Sequence, residues 1–188
     1  CQADVKGIVY GNETFRFQGS TLNLLGTAYS AGKLQIAGGD LHIAEKIENA
    51  SQIELPNYMT DILDNMKQNT GIEEIAEYNM ANVTNPTICK TTTRAWCNRV
   101  NIFADLVSNG DISFNANVMT LGYKDPVVIA SENGDISIQA TNVNGNGLIY
   151  APNGTVTINV CDFDYKGSII AKKINIQATY YQHKIEDK

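Results

Sequence analysis

The residues best suited to chemistry fall in one polar segment in the middle of the chain, CKTTTRAWCNR. This segment contains three cations and the only tryptophan of the chain: Lys90, Arg94, Arg99 and Trp96. Residues 78–104 hold no acidic side chain, although the whole chain has a net charge of −6. A rigid loop that carries an aromatic ring and several cations is suited to binding a partner. We therefore predict that these four residues form a binding site. The alternative is that Trp96 faces inward and anchors the segment to the rest of the fold.

Two cysteines bracket the same segment. Cys89 and Cys97 lack the spacing of a metal site, because the chain has no Cys-x-x-Cys motif and neither histidine lies nearby. We predict that they form a local disulfide, which the chain-entropy model values at about 2.5 kcal/mol. Such a bond implies an oxidising compartment outside the cytoplasm. The alternative is a pair of ordinary cysteines, which is also our interpretation of Cys161 in its alternating strand.

Motifs of the common enzyme classes are missing from the sequence. It contains no Gly-x-Ser-x-Gly, no Walker loop and no His-Glu-x-x-His, and His42 and His183 have no nucleophile beside them. The Asn-Gly-Asp segments at 109–111 and 133–135 are typical of corners that need a positive φ. They lack the density of oxygen ligands found in calcium loops. We therefore predict no catalytic residues, no bound metal and no cofactor.

A repeated phrase indicates which elements position this segment. GLIYAPNGTVTINV and GSIIAKKINIQA begin at Gly147 and Gly167, and each ends in strict alternation of apolar and polar residues. Similar phrases begin at Gly7 and Gly26 and recur at 45–55, 106–114 and 127–138. Stacking the copies gives two apolar columns: Phe15, Leu34, Ile53, Ile112, Ile136, Val156, Ile174, and Phe17, Ile36, Leu55, Phe114, Ile138, Ile158, Ile176.

A repeat this short cannot bury its own apolar face and must stack on its neighbours. We therefore predict an all-β fold, a parallel β-solenoid of about seven coils. The coils would lie about 4.8 Å apart, the spacing of paired strands. The alternative is an antiparallel sandwich, which also uses short alternating strands.

The repeats divide the chain into four parts within one compact domain. Coils are predicted at 1–55 and 100–181, a helical and irregular insertion at 56–99, and a polar tail at 182–188. Within the insertion, Met59, Ile62 and Met66 have helical spacing, with Asn57 as N-cap and Gly71 as the C-terminal stop. The segment IEEIAEY suggests a second, shorter helix. We expect the first helix to pack on an end or flank of the solenoid.

Composition excludes several classes of protein. The chain has 188 residues, of which 43% are hydrophobic and 18% charged, as in globular proteins rather than disordered ones. The net charge of −6 argues against general binding to nucleic acids or anionic membranes. No run of eighteen apolar residues occurs, so we expect no membrane contact by this part of the protein.

The phrases GLIYAPNGTVTI and GSIIAKKINI resemble the C-terminal repeats of bacterial cell-surface and pilus-accessory proteins, which follow the pattern GxIYAPxxxVxI…GxIxAKxxxI. The resemblance covers residues 127–178 and extends to 7–55. It implies a short β-solenoid at the cell surface. In members that resemble minor pilins, the solenoid follows a hydrophobic N-terminal helix. Bactofilins, which are cytoplasmic polymers with similar repeats, are a more distant likeness.

These observations favour a non-enzymatic extracellular module, either an adhesin or a pilus-associated subunit, whose insertion makes the contacts. The expected partners are a protein or an anionic glycan surface, or other pilus subunits; DNA ranks below them, because three cations are few. One alternative is a self-assembling structural solenoid similar to bactofilins. The other is a β-helical enzyme acting on polysaccharides, which would need clustered acids and a base on one face.

Overall fold

The computed structural model describes residues 2–49, 51–52, 58–68, 73–75, 78–79 and 81–178. Apart from one helix, the described elements are strands, and the last of them continues around several corners for 43 residues. In chain order they are Gln2–Lys6 (β1), Val9–Gly19 (β2), Thr21–Ser30 (β3), Leu34–Ala37 (β4), Asp40–Ile47 (β5), Tyr58–Gln68 (α1), Glu73–Ile75 (β6), Tyr78–Asn79 (β7), Asn82–Val83 (β8), Thr87–Cys89 (β9), Thr93–Ile102 (β10), Leu106–Ser108 (β11), Ile112–Leu121 (β12), Val127–Ser131 (β13) and Ile136–Ala178 (β14).

The strands of the described residues pair in parallel, and the chain winds through three faces in every coil. Face A consists of 73–75, 87–89, 106–108, 127–131, 147–150, 169–171, 9–11, 27–30 and 45–47. Face B consists of 78–79, 93–97, 112–116, 136–140, 156–160, 174–178, 15–19 and 34–37. Face C consists of 82–83, 99–102, 118–121, 142–145, 162–166, 2–6, 21–24 and 40–43. This architecture is a parallel β-solenoid and confirms the predicted fold class.

The apolar columns form the core, as the alternation predicts. Phe15 pairs with Ile174 on one side and Leu34 on the other, and Phe114 pairs with Ile138. The described column members are buried, except that Leu34 and Ile36 are half-buried in the terminal strand β4. The predicted members at 53 and 55 lie outside the described residues. Burial of these aliphatic and aromatic side chains, two from face B in most coils, supplies most of the driving force for this fold.

The order of the coils in space differs from their order in the sequence. Strand β1 pairs with residues 162–166 of β14 on one side and with β3 on the other, and β2 pairs with residues 169–178. The N-terminal coils therefore stack on the C-terminal end of the solenoid. At this junction Lys172 and Lys173 each form an ion pair with Glu13, at 3.4 and 3.2 Å. The hydrogen bond from Lys173 is the main reason why the pKa of Glu13 lies below its usual value.

The corner before face A carries glycine in successive coils, at positions 147, 167, 7 and 26. Gly147 and Gly167 have φ of 138° and 149°. A Cβ atom on Gly167 would collide with the carbonyl oxygen of Gly147, and one on Gly7 would collide with that of Gly167. Glycine is therefore required at this corner by both conformation and space.

Helix α1 packs on the outer side of face A. Met59, Ile62 and Met66 are buried against Val107, Ala130 and Tyr150. This arrangement confirms the predicted helix and places it on the flank of the solenoid, which is one of the two predicted positions. Its predicted cap and stop, at residues 57 and 71, lie outside the described residues. Burial beneath the helix raises the pKa of Tyr150. The predicted second helix is wrong, because strands β6 and β7 occupy parts of that segment.

The predicted insertion at 56–99 extends too far toward the C-terminus. Strands β6 to β9 and the first half of β10 continue faces A, B and C within that range. The repeat is hard to recognise in this segment because its inward residues are small or polar: Thr93 and Ala95 are buried where other coils have isoleucine, phenylalanine or valine. The C-terminal block of coils therefore begins at Glu73 rather than near Val100.

Candidate functional site

Arg94 and Trp96 lie side by side on the outer surface of face B. The alternation of β10 turns Thr93 and Ala95 into the core, so the two residues between and after them point outward. The Trp96 side chain is 79% exposed. The alternative interpretation, in which Trp96 anchors the segment inward, is therefore wrong.

A shallow groove of about 270 Å³ runs beside these two side chains. Ser113 and Ser137 form part of its floor, because the register places them level with Arg94 on the next two strands. Asp111 and Asp135 form its rim at the corner that precedes face B. The groove thus offers an aromatic ring, a guanidinium, hydroxyls and carboxylates within one patch.

The rim of this groove is fixed by hydrogen bonds between coils. One oxygen of Asp111 accepts the backbone N–H of Asp135 at 2.9 Å, and the equivalent oxygen of Asp135 accepts that of Thr155 at 2.7 Å. The repeated Asn-Gly-Asp segments are corners, as predicted, but Gly110 and Gly134 do not adopt a positive φ. Each is glycine because a Cβ atom would collide with backbone atoms of the neighbouring coil.

The other two predicted site residues lie elsewhere. Lys90 is exposed at the corner between β9 and β10 and does not line the groove. Arg99 is exposed on face C, beyond Asn98, where the pairing of β10 with β12 is interrupted. The structure therefore brings together Arg94 and Trp96, and it does not bring Lys90 and Arg99 to the same groove.

The predicted disulfide does not form: the sulfurs of Cys89 and Cys97 are not bonded to each other. Cys89 ends β9 on face A, whereas Cys97 ends the face-B part of β10. The stretch from Thr93 to Cys97 is extended and covers about 13 Å at the usual strand rise. A disulfide requires Cα atoms within about 7 Å. Each thiol instead donates to a nearby carbonyl, Cys89 to Thr92 at 3.4 Å and Cys97 to Arg99 at 3.0 Å.

A second groove, of about 290 Å³, lies on the same face toward the N-terminal coils. Arg16 and Gln18 of β2 border it, together with Asn159, Asn175 and Gln177 of β14. Sequence reasoning missed this groove and the serine floor of the first one. The residues that alternate with the two apolar columns contain the signal, since from Ser113 to Gln177 they are serine, threonine, asparagine or glutamine in every coil.

Two further observations concern metal ions and membranes. Among the described residues, no group of three histidine, cysteine, aspartate or glutamate side chains is arranged to hold a metal ion. Within the same residues, no helix has the length and apolar character needed to cross a membrane.

Comparison with known proteins finds little similarity. No protein-family model matches the chain, and no curated protein matches it. Among solved structures, it is similar to the crystal structure of a glycosylated ice-binding protein (LeIBP) from Arctic yeast, with 8% sequence identity and a TM-score of 0.25. The match covers 100% of this chain and 93% of that one. A likeness at this score carries no argument about the site.

Proposed function

We propose that this protein is a non-catalytic, extracellular surface module that holds a partner on face B, at the groove formed by Trp96 and Arg94. The observation that carries the proposal is the 79% exposure of the single tryptophan on a rigid sheet. Covering an exposed indole ring with a partner is favourable, and tryptophan and arginine, like tyrosine, are enriched among the residues that contribute most to binding energy.

The rigidity of the solenoid supports this assignment. Strand β10 is held between β12 on one side and β7 and β8 on the other, and Ala95 beneath the site is buried. A partner would therefore meet side chains whose backbone is already ordered, which lowers the entropy cost of binding. The partner classes that we propose are a glycan or a protein surface, and the extracellular setting, whether an adhesin or a pilus-associated subunit, is inferred from the repeat resemblance.

The test is binding of the purified chain to immobilised glycans, to extracellular proteins and to single-stranded DNA, with Trp96→Ala and Tyr123→Ala as a matched pair. Tyr123 is a suitable control because it is 77% exposed but lies outside face B, between β12 and β13. We expect Trp96→Ala to weaken binding at least about tenfold and Tyr123→Ala to leave it unchanged.

Two results would contradict the proposal. Equal binding by wild type and Trp96→Ala would move the contact away from the groove. Filaments that grow with protein concentration and are insensitive to Trp96→Ala would favour the self-assembling alternative instead.

A further inference from the structure

We propose that face B binds a linear, uncharged polysaccharide that lies along the solenoid axis. The ligand would extend from the groove beside Arg94 and Trp96, here called the Trp96 groove, to the second groove bordered by Arg16 and Gln18, here called the Arg16 groove. This inference rests on the proposed function, because it names the class of ligand held at the same site. It adds that the site is extended and that a single ligand chain contacts both grooves.

The outer surface of face B carries two regular rows of side chains that are uncharged and polar between Arg94 and Trp96 at one end and Arg16 at the other. The register places Ser113 level with Ser137, and Asn115 level with Gln139. Farther along the face, Asn175 is level with Arg16 and Gln177 with Gln18. From Ser113 to Gln177, one row therefore presents half-buried hydroxyl and amide groups, and the other presents amides that are exposed to solvent.

The two rows connect the grooves. Thr157 and Asn159 border the second groove between the strands of Gln139 and Gln177. From Trp96 to Gln18 the face crosses five strand spacings, or about 24 Å at about 4.8 Å each. The surface is thus long enough for a chain of several sugar units rather than one.

The chemistry of the rows matches a sugar polymer better than other polymers. Amides and hydroxyls both donate and accept hydrogen bonds, which is what repeated sugar hydroxyls require. The exposed indole of Trp96 provides an apolar face for the C–H side of a sugar ring. In the two rows, cations occur only at Arg94 and Arg16, so a polyanion such as DNA would lack phosphate partners along the middle of the face.

The experiment is calorimetric titration with defined oligosaccharides of two to eight units, using xylo-, cello- and N-acetylchito-oligosaccharides as probes. We expect at least one series to bind with an affinity that rises with length up to about five or six units, when both grooves are occupied. Trp96→Ala should weaken the binding of all lengths. Gln177→Ala should weaken long oligomers about two- to tenfold and leave the shortest ones unchanged. Asn144→Ala, which removes an exposed amide from face C, is the control and should have no effect.

The outcomes separate this inference from the proposed function. Binding with no dependence on length, or with no effect of Gln177→Ala on long oligomers, overturns the extended site and leaves the Trp96 groove intact. Failure of all three series, with a protein or DNA ligand that still needs Trp96, overturns the polysaccharide assignment alone. Shortening of the oligosaccharides during the titration would contradict a non-catalytic role.

Discussion

Gln2 and Ala178, near opposite ends of the chain, lie almost at consecutive positions of one coil. Ala178 pairs with Gly19 and Gln2 pairs with Thr21, so in the adjacent coil Ser20 alone separates the two partners. Strand β1 thereby supplies the face-C strand of the coil whose other two faces come from the end of β14. The N-terminal strand is an interior part of the solenoid and not an appendage to it.

This relationship predicts that a circular permutant will fold. Joining Ala178 to Gln2 through one serine, with the chain opened between residues 49 and 50, makes the coils continuous in sequence. Two residue steps span about 7 Å, which is the gap that Ser20 bridges next to it. We expect the permutant to unfold cooperatively, with a melting temperature within a few degrees of a chain in the original order that has the same residues removed. Circular dichroism during heating measures this.

A permutant with a five-residue glycine-serine linker is the control. If it folds and the one-residue version does not, the ends of the coil are farther apart than the pairing implies. If neither folds, the stacking of the N-terminal coils on the C-terminal block is contradicted.

The sequence alone was sufficient for the fold class but not for the coil order. Alternation and the repeated glycine phrases determine face B and its core, because every coil must bury the same column. The order of coils could not be read in the same way, since the copy that begins at Gly7 fits equally well on any other copy. The location of Trp96 on a strand was obscured by CKTTTRAWC, in which three threonines hide the alternation. The polar rows of face B were visible in the sequence, but they have a meaning only when the register aligns them.

The cysteine arrangement predicts a difference in reactivity. Cys89 is 1% exposed and Cys97 is half-buried, so an alkylating reagent should modify Cys97 in the native protein and reach Cys89 only after unfolding. Trypsin cleaves after Lys90 and Arg94, so mass spectrometry reads the two sites on separate peptides. A single peptide mass that joins them in unreduced protein would restore the predicted disulfide.

Thr93 is a polar member of an apolar column. It pairs with Ile112, is 1% exposed, and within the described structure its hydroxyl has no hydrogen-bond partner. A buried unsatisfied hydroxyl costs about 1–3 kcal/mol, and valine has nearly the same shape. We therefore expect Thr93→Val to raise the free energy of unfolding by about 1 kcal/mol.

Thr87→Val is the matched control for this change. Thr87 is equally buried, but its hydroxyl donates to the carbonyl oxygen of Asn85 at 2.9 Å. The free energy of unfolding of this control should fall by about 1 kcal/mol, because the hydrogen bond is lost. Urea titration of both variants gives the comparison, and a loss of stability in Thr93→Val would show that its hydroxyl is satisfied.

The glycine corner makes the sharpest prediction about packing between coils. A Cβ atom on Gly167 would collide with the carbonyl oxygen of Gly147, and its φ of 149° is strained for other residues. We expect Gly167→Ala to lower the free energy of unfolding by roughly 3 kcal/mol, because the coils must separate locally to admit the methyl group.

Gly39→Ala is the control for this change. Its new methyl group would lie 3.4 Å from the carbonyl oxygen of Ser20, an ordinary contact, so the free energy of unfolding should not change. Urea titration of the two alanine variants tests the difference. If both variants were equally stable, the glycine corners of neighbouring coils would not touch, and the stacking of Gly167 on Gly147 would be wrong.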